Sequence, residues 1–200
     1  MDPVKRRRDV AEAVWRVVRS EGLDRASVRK VAHEAGLSMG SLRHYFNSQS
    51  ELRIFAMRMV IERIEQRIST LQEPEDPLQA ARTVLAELLP LDAERQAENE
   101  VWLAFTARAS VDPELRALRD EAYDLLHDAC HRWVRRLRPA GAVVDVDLEG
   151  DRLFALLDGL AVHAAMRPEQ ATAKRLLAVL THHLDHVAKS SPREDNAAAG

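Results

Sequence analysis

The chain has 200 residues, 46% hydrophobic and 30% charged, with a formal net charge of -3; this is the balance of a globular chain able to bury a core, and it excludes disorder. A single cysteine, Cys130, excludes an internal disulfide framework and any site built on paired cysteines, and fits a reducing cytoplasm. Seven glycines, eight prolines and little strand-like alternation argue against an antiparallel β fold, which leaves an all-α protein.

The expected helices, in chain order, are 3–20, 27–34, 38–45, 48–71, 77–88, 92–111, 113–138, 147–166 and 168–188. Asp2-Pro3, Asp76-Pro77 and Asp112-Pro113 each set a capping acid before a proline at the first helical position. Ser48-x-x-Glu51 reads as a capping box, and Ser27, Ser38, Asp92, Asp147 and Pro168 mark further starts. Val10, Val14, Val17 and Val18 share a helix face, as do Leu52, Phe55, Ala56, Met59 and Val60. Leu115, Leu118, Ala122, Leu125, Leu126, Ala129, Trp133 and Leu137 extend one stripe for about six turns. Gly22, Gly36 and Gly141 fall between helices, residues 139–146 read as a surface loop, and residues 190–200 as a frayed tail. The basic start from Met1 to Arg8 runs into Asp9, Val10, Ala11 and Glu12, so no signal peptide is expected, and no apolar stretch reaches membrane-spanning length.

Charge is distributed unevenly. Residues 1–50 carry ten Lys/Arg against six Asp/Glu, a net +4, which leaves -7 for the remainder. A phosphate-seeking head on an acidic body and a chance solvated face both fit this pattern. Within the head, Val28, Val31, Ala32 and Ala35 face inward from one short helix, and Leu37 and Leu42 anchor the next. Gly36 lies between them, in a helix-turn-helix layout. The second helix, capped by Ser38 and ~12 Å long to Tyr45, turns Met39, Gly40, Ser41, Arg43 and His44 away from its anchors. Small residues there let the backbone approach base edges, and Arg43 suits guanine or phosphate.

Ala32-x-x-Ala35-Gly36-Leu37-Ser38-x-Gly40-Ser41-Leu42-x-x-Tyr45-Phe46, followed by Ser48-x-x-Glu51-Leu52, resembles the DNA-binding signature of TetR-type transcriptional regulators over roughly residues 8–55. The body echoes the BetI-type subgroup in Val101-Trp102-Leu103-Ala104-Phe105, Asp112-Pro113-Glu114-Leu115 and Leu157-Asp158-Gly159-Leu160-Ala161. The resemblance implies a DNA-binding head over residues 1–47, an effector-binding and dimerisation body over 48–189, and a tail over 190–200. It implies DNA contacts by Ser27, Arg29, Ser38, Gly40 and Ser41, with a phosphate held by Tyr45. Arg43 stands where the family commonly has an aromatic residue, and Gln49 where it commonly has lysine. Arg6, Arg7 and Arg8 resemble the family's basic arm and equally suit a solvated start.

A single helix-turn-helix gains little from one half-site, so a dimer is expected. Leu153, Leu156, Leu157 and Leu160, with Leu176, Leu177, Leu180, Leu184 and Val187, form apolar stripes read partly as core and partly as a four-helix subunit boundary. Trp102, Phe105, Tyr123, Trp133, Phe154 and Met166 are candidates to line an effector cavity, with Asn99, Arg108 and His163 as polar groups. An acidic effector would favour Arg108; a cation would favour the aromatics and Asp158. His127 with His131, and His182 with His186, are spaced i to i+4 as metal ligands can be, but lack a metalloprotease glutamate, and no metal or cofactor is assigned. No phosphate-cradling glycine loop or nucleophile elbow points to an enzyme, and Cys130 reads as a small buried apolar side chain. The expected function is a homodimeric repressor of a palindromic operator, released by a small-molecule effector. The alternative is a helical ligand or metal binder, or an enzyme, whose helix-turn-helix is architectural.

Overall fold

A computed structural model describes residues 3–139 and 145–189. Among them are nine helices and no strand: α1 (Pro3–Glu21), α2 (Val28–Glu34), α3 (Met39–Arg43), α4 (Gln49–Thr70), α5 (Pro77–Ala86), α6 (Ala93–Ala109), α7 (Pro113–Leu137), α8 (Val146–Met166) and α9 (Ala173–Lys189). Asp2, Gly141 and the expected tail 190–200 lie outside the described residues.

The helix starts follow local side-chain chemistry. Ser27, Ser38, Asp76 and Asp92 accept from the backbone N–H of Lys30, Ser41, Gln79 and Arg95, satisfying donors that the first turn leaves orphaned. Ser48 accepts from Glu51 N–H at 3.0 Å, but the Glu51 carboxylate reaches one residue past the expected reciprocal partner, to Asn47 N–H at 2.7 Å. Two starts differ from expectation. Asp145, not Asp147, caps α8. Helix α9 begins at Ala173 instead of Pro168, because the Thr172 hydroxyl accepts from Arg175 N–H at 3.3 Å and displaces the proline as the start signal.

The described chain packs as two compact units, residues 3–69 with 92–122, and residues 70–91 with 123–139 and 145–189. In the first, the α1 valines Val10, Val14, Val17 and Val18 are buried as expected, together with Leu42, Leu52, Ala56, Met57, Val60, Val101, Phe105 and Leu115. On α4, Met57 is fully buried, whereas Phe55 and Met59 are only partly so. Buried Glu98 of α6 receives a two-pronged bond from Arg67 of α4, Nη1 to Oε1 at 2.8 Å and Nη2 to Oε2 at 2.7 Å, the geometry that best repays carboxylate desolvation.

The second unit closes on Ala81, Leu85 and Leu89 of α5, Cys130, Val134 and Leu137 of α7, Leu153, Leu157 and Leu160 of α8, and Leu176, Leu180, Leu184 and Val187 of α9. The expected α7 stripe holds at Leu137, which is buried, and at Leu126 and Trp133, which pack partly buried against this core, and is corrected between them. Leu125 is 55% exposed, and Cys130 and Val134, outside the expected stripe, are fully buried. Burial, reinforced by the negative charge of Asp158, pushes the Cys130 thiol up to about 12. A thiol reagent at pH 8 is accordingly expected to spare the native chain and to label it fully once unfolded, when the thiol returns to about 8.5; rapid native labelling would contradict the burial.

Candidate nucleic-acid interface

The turn between α2 and α3 is set by Gly36, whose φ of +62° only glycine adopts without strain. Around it, Leu37 N–H donates to Ala32 C=O at 2.8 Å and Gly36 N–H to His33 C=O at 3.1 Å, the paired closure of a Schellman motif. That closure ends α2 sharply and releases Ser38 to begin α3. Leu42, fully buried, pins the inner side of α3.

The outer side of α3 presents Ser38, Met39, Gly40, Arg43 and His44 to solvent, with Ser41 half-exposed. The Ser38 and Ser41 hydroxyls lie 3.0 Å apart beside the cap, at the start of the helix. Arg29 is exposed on α2, and Ser27 is half-buried at its cap. Two expected contacts are partly committed to the protein itself. The Tyr45 ring packs against the core, and the Gln49 side-chain amide donates to the Ala26 carbonyl, tying the start of α4 to the loop before α2. Arg7 and Arg8 of α1 and Arg58 and Arg63 of α4, with Phe55 and Met59, line an open groove of about 590 Å³.

Glu94 of α6 gathers the elements behind this surface. It accepts from Trp15 Nε1 at 3.1 Å and Arg19 Nη1 at 3.0 Å on α1, and from Arg63 Nη1 at 2.6 Å on α4. The Arg63 guanidinium also stacks on the Trp15 ring, 4.4 Å from its centroid. Nothing local in the sequence marks Glu94, because its partners are 31 to 79 residues away.

Two family models match the chain. One, described as a BetI-type transcriptional repressor C-terminal domain, covers residues 77–189, and one for bacterial regulatory proteins of the tetR family covers residues 11–54. The regulator PksA of Bacillus subtilis (strain 168) is 36% identical over 198 residues, 97% of this chain and 95% of the relative. This chain belongs to the TetR family of transcriptional regulators. The TetR architecture is seen in a Rhodococcus regulator, 29% identical with a TM-score of 0.78 over 90% of this chain and 94% of that one. A Saccharomonospora viridis regulator crystallised with choline shares the fold at 22% identity and a TM-score of 0.78, over 92% and 97% of the two chains. The chain is thus a TetR-family DNA-binding regulator, and among its described residues no helix is long and apolar enough to cross a membrane.

The residues expected at an effector site have distinct surroundings. In the first unit, Phe105 is fully buried in the core and offers no surface to a ligand, which corrects that assignment; Trp102 is half-buried against the same core, and Arg108 is exposed. In the second, Tyr123 and Phe154 meet edge to face at 5.6 Å, and the Tyr123 hydroxyl donates to Asp158, whose carboxyl is raised by burial. Trp133 lies under the Arg136 guanidinium at 4.9 Å, and His163 is exposed. The dimer residues also need correction. Leu176, Leu180 and Leu184 are at most 1% exposed within the subunit, Leu160 is 8% exposed and Leu156 is partly buried against the same core. The large apolar side chains exposed on these two helices are Leu148, Val162 and Met166 of α8 and Leu177 of α9.

Sequence spacing had paired His127 with His131; the fold adds Asp151 of α8, whose carboxyl is held below its ordinary range by hydrogen bonds with His127 and His131. His182 and His186 gain no such third group among the described residues.

Proposed function

We propose that the chain is a cytoplasmic, non-catalytic homodimeric repressor whose α3 helices read the half-sites of a palindromic operator and which a small molecule releases. The observation that carries this reading is the outer side of α3, small at Gly40 and Ser41 and basic at Arg43 and His44, standing clear on a glycine-closed turn. Residues 1–47 serve as the reading head and 48–189 as the effector and dimer body. Ser27, Arg29, Tyr45 and Gln49 flank α3 as backbone contacts. In a dimer, α8 supplies Leu148, Ala155, Val162 and Met166 along one exposed side, with half-buried Gly159 among them. A Cβ at Gly159 would meet nothing within 4 Å, which leaves room for a close helix from a second subunit.

A cationic effector suits the Tyr123–Phe154 pair beside the Asp158 carboxylate, and the choline bound by the Saccharomonospora viridis protein is such a cation. Release follows from linkage: an effector that binds better to a state with displaced heads lowers operator affinity by its differential binding energy. Within the first unit, Glu94 joins α6 to both α1 and α4, so a shift of α6 is felt at the head.

The test is binding of the purified dimer to an operator selected from random duplexes. Affinity is expected to fall steeply with salt as counterions are released, and Arg43→Ala is expected to cost about 1–3 kcal/mol, with relaxed base preference if Arg43 contacts a base. Salt-insensitive binding, or an Arg43→Ala variant equal to the parent, would reject the role given to α3.

A further inference from the structure

Nε2 of His127, Nε2 of His131 and Oδ1 of Asp151 form a nearly equilateral triangle, with edges of 3.0, 3.1 and 3.2 Å. Three neighbouring ligands about 2.1 Å from one ion stand roughly 3.0 to 3.4 Å apart, so an ion ~1 Å off the plane of these atoms touches all three. Hydrogen bonds alone satisfy the triangle poorly. With the carboxylate ionised and so acceptor-only, donors and acceptors cannot alternate around a ring of three, and either tautomer of each imidazole leaves one edge with two donors or two acceptors face to face. A central cation satisfies all three lone pairs at once.

The backbone is shaped for this meeting. Gly150 precedes Asp151 inside α8, and a Cβ there would stand 2.6 Å from His131 Cδ2 and 2.7 Å from its Cγ and Nε2. Glycine in a helix interior costs stability, and here its absent side chain lets the imidazole lie on α8. The other ring nitrogen, His131 Nδ1, faces Asp147 Oδ1 at 3.6 Å, as a carboxylate behind a metal-bound histidine does. The His131 side chain is 9% exposed whereas that of Asp151 is 62% exposed, so the ring is fixed from within while the carboxylate side stays open to water.

We propose that His127, His131 and Asp151 hold one divalent late first-row transition ion of the Zn²⁺ class, which ties α7 to α8 and keeps a coordination position for water or an exogenous ligand. Two imidazoles and one carboxylate suit such an ion and disfavour Mg²⁺ and Ca²⁺, which take all-oxygen shells. This site is independent of DNA binding.

The experiment is titration of the tag-free, chelator-stripped full chain with Zn²⁺ against a chromophoric competitor, with Co²⁺ absorption reporting ligand geometry. One equivalent per chain is expected, with a Zn²⁺-dependent rise in melting temperature and no response to Mg²⁺. Asp151→Asn and His127→Ala, at solvent-accessible positions, are expected to fold as the parent does and to lose at least a hundredfold in affinity. Asp147→Asn is expected to lose about tenfold, the lower range for a supporting carboxylate. His182→Ala with His186→Ala is expected to change nothing. Absence of stoichiometric binding by the parent, parental affinity in Asp151→Asn and His127→Ala, or loss in the His182/His186 variant would overturn the site.

Discussion

A glutamate in place of Gly40 is expected to abolish operator binding without harming the fold. Gly40 lies in the exposed α3 helix, its φ is not positive, and a Cβ there would meet only Ser38 Oγ at 3.8 Å. Glutamate is also the better helix former by up to about 1 kcal/mol, so stability is expected to hold or rise slightly. In a groove, however, the carboxylate would meet phosphates and base acceptors while holding the backbone away. A like-charge juxtaposition of this kind costs several kcal/mol, so a loss of roughly 3 kcal/mol, over a hundredfold, is a conservative expectation. Anisotropy with the selected operator gives the affinity and a thermal melt gives the stability. Retained affinity with an intact melt would mean that another surface reads the DNA.

The second large effect separates the subunit core from the subunit boundary. Leu180 is 1% exposed among Leu153, Leu157, Leu176 and Leu184, so Leu180→Glu places a charge with no partner in an apolar interior. The cost is expected to exceed roughly 4 kcal/mol, a large part of the 5–15 kcal/mol that holds a typical domain. The expected outcome is a collapsed or strongly shifted melt, not a folded monomer. Met166 on α8 is 73% exposed, and Met166→Glu is expected to leave subunit stability within about 0.5 kcal/mol while dissociating the dimer. Circular dichroism and light scattering on both variants distinguish the two roles; a folded monomer from Leu180→Glu would return α9 to the boundary.

The contrast shows where the sequence was informative. Caps at Ser27, Ser38, Asp76 and Asp92 were legible because each is a bond between residues three apart, and the Gly36 turn because only glycine fits its φ. The start of α9 is ambiguous in sequence because Pro168 and Thr172 both suit a helix start, and the structure shows the Thr172 hydroxyl taking the capping role. On α7, Leu115 and Leu118 serve one unit and Cys130, Val134 and Leu137 the other, so one continuous stripe could not describe a helix that changes partners. The apolar spacing of α9 is the same whether it faces its own subunit or another, and only burial tells them apart. At the histidine cluster, the i to i+4 pair was visible, but its third member lies 20 residues beyond His131.

The Glu94 junction also bears on how this regulator could be recombined with others. A hybrid joined after residue 47 would keep Trp15 and Arg19 from one parent and take Glu94 and Arg63 from another, severing the ties that make α1, α4 and α6 a single compact body. Modular engineering of its DNA specificity therefore calls for transplanting α3 residues alone, or for carrying α4 and α6 along with the head, so that the graft keeps the acid on which α1 and α4 lean.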